Sequence, residues 1–321
     1  MPTILITGGH SGIGLETAKQ LAKRGFDLIL AGRDPNRIEL VAKGLRETYG
    51  VKVIVLQLDV ASLASVRSSV IELRQRVVQR EIDVLEAVVC NAGASFMGDI
   101  RYSVDGYELT FATNYLGHFL FVQLLLDYIS ENGRIVFVAS GTHDPETRDG
   151  KMVGRAGRAD AFALANLGKG NSKALAWGQR YSTSKLCMIL LAYELDRRLR
   201  QSGKSISSIA FDPGSIPETD LMRSLPGPLQ SFAKTSFARW ITRMMGITQG
   251  SLEFSSESLA RVSADAEFAQ VSGKYLQSND GTLRVTRSSK ASYDESTARK
   301  LWEDSGSLAG LQLSEMPASL R

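Results

Sequence analysis

Cysteine and histidine are scarce in this chain. Of its 321 residues two are cysteine, Cys90 and Cys187, and three are histidine. Two cysteines cannot build a disulfide framework, so the sequence predicts a reducing compartment. Three histidines without ligand-like spacing argue against a zinc centre. Neither sign of charge dominates: 38 basic residues against 34 acidic ones leave a net charge of +4. That balance suits an anionic cofactor and gives no clustered basic patch of the kind nucleic acid needs. No run of about 18 apolar residues is present, and no basic leader precedes an apolar stretch at the amino end. The expectation is a soluble, cytoplasmic protein with no transmembrane segment. Repeats and Gly/Ser linkers are missing too. With 43% hydrophobic and 22% charged residues, the composition is that of a globular chain. The length suits about two average domains or one large α/β domain, and the missing linker favours one domain over 1–321.

What is present is an alternation. Short β-branched runs at Thr3–Thr7, Asp27–Ala31, Val51–Leu58, Val84–Cys90, Arg134–Ala139 and Ser205–Phe211 read as buried strands. Segments of helical period lie between them, at Gly12–Arg24, Pro35–Tyr49, Ser62–Gln79, Ser103–Ser130 and Arg180–Gln201. The pattern predicts an α/β fold, a Rossmann-type doubly wound parallel sheet with helices on both faces. Two segments break the rhythm. Residues 141–180 form a long insertion between a strand and a helix. Residues 217–250 are rich in apolar and basic side chains and are expected to cover a substrate as a lid. Residues 277–321 form a carboxyl-terminal extension.

The first strand runs into Gly8-Gly9-His10-Ser11-Gly12-Ile13-Gly14, and a helix follows at once. Gly8 permits a tight turn, Gly12 admits a pyrophosphate against the backbone, and Gly14 allows close packing of the helix. Amides at the helix start then bind phosphate. This context predicts a dinucleotide site. The second strand ends in Gly32-Arg33-Asp34. Arg33 offers a planar cation to a 2′-phosphate, while Asp34 stands where it can cap the next helix. His10 or Ser11 adds a donor. The cofactor expected is NADP(H).

Tyr181 and Lys185 are four apart on an expected helix and so share a face. An ammonium beside a phenol is expected to draw its pKa toward neutrality, making Tyr181 a general acid or base. Ser140 follows an apolar strand, where its hydroxyl can hold a substrate oxygen. Asn91, Ala92 and Gly93 follow another strand and let the chain pass under the cofactor. Pro213, Gly214 and Ile216, around Ser215, are expected to flank the nicotinamide.

The set Thr7-Gly-x-x-x-Gly-Ile-Gly14, Leu58-Asp59-Val60, Asn91-Ala92-Gly93, Asn114, Ser140 and Tyr181-x-x-x-Lys185 resembles the short-chain dehydrogenase/reductase superfamily over about residues 3–220. Ala31-Gly-Arg-Asp34, Thr113-Asn-Tyr-Leu-Gly-His-Phe119 and Thr142-His-Asp-Pro145 are similar to its retinol dehydrogenase and light-dependent protochlorophyllide reductase branch. Ser272-Gly-Lys-Tyr275 and Ala298–Glu303 resemble the tail of the latter enzymes. The resemblance implies that Lys185 also holds the nicotinamide ribose. It implies that Asn114 shapes a kink that holds a proton-relay water, and that Asp59 and Val60 lie near the adenine. For Asp59 a plain cap of the next helix is the alternative.

These readings predict an oxidoreductase that moves hydride between NADP(H) and a carbonyl or secondary alcohol of a sizeable hydrophobic substrate. Leu229, Phe232, Trp240, Ile241, Met244 and Met245 follow helical spacing within the expected lid. Core packing and contact with a membrane surface are the other readings of that stripe. One alternative function is light-dependent protochlorophyllide reduction. The insertion, Cys187 and the tail favour it. Against it stands Ser215, where those enzymes carry cysteine after Pro-Gly. A second alternative is a non-catalytic NADP sensor, against which stand Ser140, Tyr181 and Lys185 together. Substrate, reaction direction and oligomeric state stay open.

Overall fold

Thr3–Thr7 is buried at every position, as a strand covered on both faces must be. It forms β1, near the middle of the sheet in the computed structural model, which describes residues 1–170, 172, 174–216 and 248–317. The chain continues through α1 (Gly12–Lys23), β2 (Asp27–Gly32), α2 (Pro35–Tyr49), β3 (Val53–Gln57), α3 (Leu63–Val78) and β4 (Leu85–Cys90). It goes on through α4 (Leu109–Phe111), a π-helical turn (Ala112–Leu116), α5 (Gly117–Leu125), β5 (Ile129–Val138), α6 (Arg148–Val153), α7 (Ala161–Ala165) and α8 (Trp177–Gln201). After β6 (Ser207–Asp212), the described elements are α9 (Leu252–Ala264), β7 (Lys274–Asn279), β8 (Thr282–Thr286) and α10 (Glu295–Leu308).

All these strands join one sheet of order β3-β2-β1-β4-β5-β6-β7-β8. Pairing is parallel from β3 to β7, and β8 returns antiparallel to β7. Strand alternation splits the core in two. Leu5 and Val88 face the layer that holds Phe119 and Leu190, whereas Ile4 and Ile6 face Leu21 and Leu259. This is the doubly wound architecture expected. The order reverses between β1 and β4, and such a switch point opens a crevice at the carboxyl ends of the strands.

Three local readings need correction. The helix expected over Ser103–Ser130 starts only at Leu109, because Gly106 turns the chain with φ +81° and Glu108 caps the helix by accepting the Phe111 N–H. The strand expected over Arg134–Ala139 begins earlier, at Ile129. The segment Leu109–Tyr128 is long and apolar enough to cross a membrane, with mean hydropathy 1.3, although no apolar run was expected. Here it is almost wholly packed inside the fold. β7 and β8 extend the sheet beyond the strands expected. The apolar stripe from Leu229 to Met245, with Glu218 and Thr219, lies outside the described residues.

Candidate active site

The glycine turn is built by its neighbours. Gly8 (φ +67°) donates its N–H to Ala31 O at 2.7 Å, tying the turn to β2. A Cβ on Gly14 would lie 2.5 Å from Gly8 O and 2.6 Å from Asn91 Nδ2, so only hydrogen fits there. Gly12 (φ +53°) differs: among the described residues, and apart from its own stretch of chain, no atom lies within 4 Å of where its Cβ would stand. Ser11 occupies the cap position of α1, yet its side chain makes no capping hydrogen bond. The first-turn amides of a helix have no partners within it. An open cradle of this kind fits a dinucleotide pyrophosphate.

Thr7 fastens the next loop. Its Oγ1 accepts the N–H groups of Asn91 and Ala92, both at 2.9 Å, and lies 3.0 Å from His118 Nε2. Burial holds the His118 pKa at about 4, so the ring is neutral near pH 7. Asn91 Nδ2 donates to Thr7 O at 2.9 Å.

One pocket beside this turn is lined by His10, Ser11, Arg33, Arg37, Asp59, Val60 and Ala92. Asp34 is spent on α2, accepting the N–H groups of Asn36 at 3.1 Å and Arg37 at 3.2 Å. Arg33 is exposed at the pocket and free of that duty. Arg37, one helical turn on, was missed in the sequence reading, although its spacing from Arg33 was a usable signal. Asp59 does not cap α3. It turns the chain by accepting the Ala61 N–H at 3.0 Å, and Ser62 is the cap.

A second pocket shares Ser11 and Gly93 with the first and runs under the carboxyl ends of β4, β5 and β6. Its walls include Ile13, Ser140, Tyr181, Lys185, Pro213, Gly214 and Ile216. Together the two pockets make one elongated cleft across the switch point. Tyr181 and Ser140 line this wall together, and Ser140 Oγ accepts the Thr142 N–H at 3.4 Å and the Thr142 hydroxyl at 3.2 Å. Lys185 Nζ donates to Val138 O at 2.9 Å and lies 5.7 Å from the Tyr181 ring centre. A Cβ on Gly93 would stand 3.2 Å from Asn114 Oδ1 and 3.4 Å from Lys185 Nζ, so the chain passes close to both side chains there. Asn114 lies in the π-helical turn. Its side chain accepts from Ala94 N (2.8 Å) and donates to Ala94 O (3.0 Å) and Ser184 Oγ (3.0 Å). The π-helical turn breaks the regular α-helical spacing at this residue.

The expected electrostatics need correction. Burial pushes the Tyr181 phenol up to about 12 and the Lys185 amine down to about 8. Loss of water outweighs the lowering of Tyr181 by the Ser140 hydroxyl and the raising of Lys185 by the Asp212 carboxylate. Several polar residues here were invisible in the sequence. Arg180, directly before Tyr181, is buried against Glu108, Nε to Oε1 at 3.2 Å. Its other nitrogens donate to Leu175 O, Phe96 O and Gly98 O at 2.8–3.2 Å. The insertion and the loop after β4 are thereby clasped to the helix that carries Tyr181. His143 Nδ1 lies 2.7 Å from Ser140 O, and its Nε2 accepts the Ser289 N–H at 3.0 Å. Asp149 accepts the Thr248 N–H and hydroxyl, and Asp212 lines the same cleft. Cys187 is buried in the core and does not line the cleft.

Residues 2–147 match the family model for short chain dehydrogenases. Over 315 residues the chain is 34% identical to human retinol dehydrogenase 13, covering 97% of this chain and 85% of that protein. It is 34% identical over 327 residues to the chloroplastic protochlorophyllide reductase of Daucus carota, covering 96% and 78%. A crystal structure of an uncharacterized protein from Mycobacterium paratuberculosis superposes with a TM-score of 0.70 at 25% identity, covering 97% and 94%. The carrot protein is chloroplastic, and this overturns the expectation of a cytoplasmic protein. Composition and core packing belong to the fold, which proteins of different compartments share.

Proposed function

The chain belongs to the short-chain dehydrogenase/reductase family, in the branch similar to retinol dehydrogenase and protochlorophyllide reductase, and from that premise we propose its reaction. It moves hydride between NADP(H) and a carbonyl or secondary alcohol of a sizeable hydrophobic molecule, and Tyr181 carries the proton. The observation that carries this reading is the meeting of Ser140, Tyr181 and Lys185 in one cleft with the open amino end of α1.

Arg33 and Arg37 would hold the 2′-phosphate, since Asp34 is committed to capping α2. The α1 amides and Ser11 would hold the pyrophosphate, and Asn91, Gly93, Pro213 and Ile216 would frame the nicotinamide. When bound, the nicotinamide supplies or accepts the hydride. The protein's own work is with the proton and the oxygen. Ser140 and Tyr181 line the same cleft, where a substrate oxygen would accept a hydrogen bond from each hydroxyl. In reduction Tyr181 gives up its proton there. Protonated Lys185, fixed by Val138 O, stabilises the phenolate that remains. Its remaining N–H groups are available to ribose hydroxyls. In oxidation the same phenolate takes the proton back.

The relatives' names support a hydrophobic substrate, since retinol and protochlorophyllide are both large and apolar. Protochlorophyllide reduction itself has less support. Ser215 lines the cleft at the position after Pro-Gly, and Cys187 is remote from it.

The test pairs wild type with Tyr181→Phe, using NADPH, a panel of hydrophobic aldehydes and ketones, and protochlorophyllide in darkness and in light. Dark turnover of a carbonyl, reduced by about 10²- to 10⁴-fold in the variant with NADPH binding kept, is the expected result. Undiminished turnover in Tyr181→Phe would sink the mechanism. Turnover of protochlorophyllide alone, and only in light, would replace the carbonyl reading.

A further inference from the structure

β6 ends in a buried carboxylate to which the reaction above gives no work. Asp212 is 1% exposed. Its Oδ1 accepts the Gly214 N–H at 3.0 Å. Its Oδ2 accepts the Tyr275 hydroxyl at 2.8 Å and the Gln277 side-chain amide at 3.0 Å. Tyr275 and Gln277 are two apart on β7 and so share a face. Among the described residues these three donors are neutral, and they replace water around the carboxylate without cancelling its charge.

Strand register places that charge beside the reacting groups. Val138 pairs with Phe211, and Val138 O holds Lys185 Nζ. Asp212 is the next residue along β6. A Cβ on Gly141, which follows Ser140, would stand 3.1 Å from Asp212 Oδ2. The carboxylate lines the same cleft as Ser140, Tyr181 and Lys185.

We propose that Asp212 is the fixed counter-charge of the Tyr181–Lys185 pair, held in place by Tyr275 and Gln277 of β7. The inference rests on reading that pair as the proton-transfer machinery. A negative charge in a dry wall favours the ammonium form of Lys185 and disfavours the phenolate form of Tyr181. Both effects extend the form that reduction starts from, Tyr181 protonated and Lys185 charged, to a higher pH than burial alone allows. Among the described residues the other ionisable neighbours do not take over this role. His143 is lowered by burial and Asp149 raised by it, which disfavours the charged form of each. Tyr275 is held well above its ordinary range. His118, which feels the Lys185 charge, is neutral at physiological pH. Asp212 is a positioning residue in this scheme, acting through Lys185 and Tyr181 without touching substrate.

The test reads Lys185 itself and needs no turnover. Protein labelled with ¹⁵N-lysine is titrated by NMR without substrate, and the signal is assigned with Lys185→Arg. Asp212→Asn should lower the Lys185 midpoint by about one pH unit, and Asp212→Glu should restore it. The alkaline limb of the reduction profile should move to lower pH in the same variant. An unshifted Lys185 midpoint in folded Asp212→Asn overturns the proposal. If that variant does not fold, Tyr275→Phe combined with Gln277→Met leaves the carboxylate only the Gly214 amide. A midpoint shifted the same way then supports the proposal, and an unshifted one overturns it. A shifted midpoint with undiminished turnover in Tyr181→Phe would retain the counter-charge while removing the assigned reaction.

Discussion

The amino ends of α1 and α2 sit side by side at the carboxyl edge of the sheet, and they are finished in opposite ways. α2 is closed by its own residues. Pro35 needs no amide partner at the first position, and Asp34 accepts the next two N–H groups. α1 is left open. Ser11 stands at its cap and caps nothing, and Gly12 keeps the space in front clear. The same chain thus completes one helix with its own side chain and leaves the first turn of the other uncapped, where the proposed function puts the cofactor's pyrophosphate.

The sharpest way to break this contrast is to fill the open end. Gly12→Val should leave the fold intact, apart from the cost of a positive φ. It should weaken NADPH at least a hundredfold, roughly 2.7 kcal/mol, in a fluorescence titration. Unchanged affinity would mean that the clear space in front of Gly12 is not a phosphate cradle. Next in size is the cation beside the closed end. Arg33→Asp should weaken NADPH about tenfold to a hundredfold while NADH changes little, because a charged hydrogen bond to the 2′-phosphate is lost. Equal losses for both nucleotides would remove that contact. Smallest is the exchange of caps. Asp34→Ala should cost about 1 kcal/mol in urea unfolding and leave NADPH binding almost unchanged. Ser11→Ala should do the reverse, with no stability cost and weaker NADPH binding. If both variants lose stability alike, the two helix ends are not different in kind.

What could be read from the sequence was local. β1, the glycine turn and α1 are consecutive, so their chemistry is spelled out within a dozen residues. Tyr181 and Lys185 lie one helical turn apart, and Ser140 stands directly past a strand. Arg180 and Glu108 were illegible because a buried ion pair between residues 72 apart leaves no pattern in either neighbourhood. The same holds for Asp212, whose partners Tyr275 and Gln277 come from a strand the sequence reading did not place. The start of α4 was misjudged because the apolar period continues upstream, while the boundary is set by Gly106 and the Glu108 cap.

The sequence by itself determined the alternation of strand and helix, the turn geometry at Gly8 to Gly14, and the residue types that line the cleft. These depend on backbone sterics and on periodicity, which act over a few residues. Tertiary structure alone decided the electrostatic state of the site. Burial sends Tyr181 up and Lys185 down, and the distant carboxylate Asp212 works against the fall of Lys185. Desolvation and charge–charge energies depend on what surrounds a group in space, and chain order does not record that.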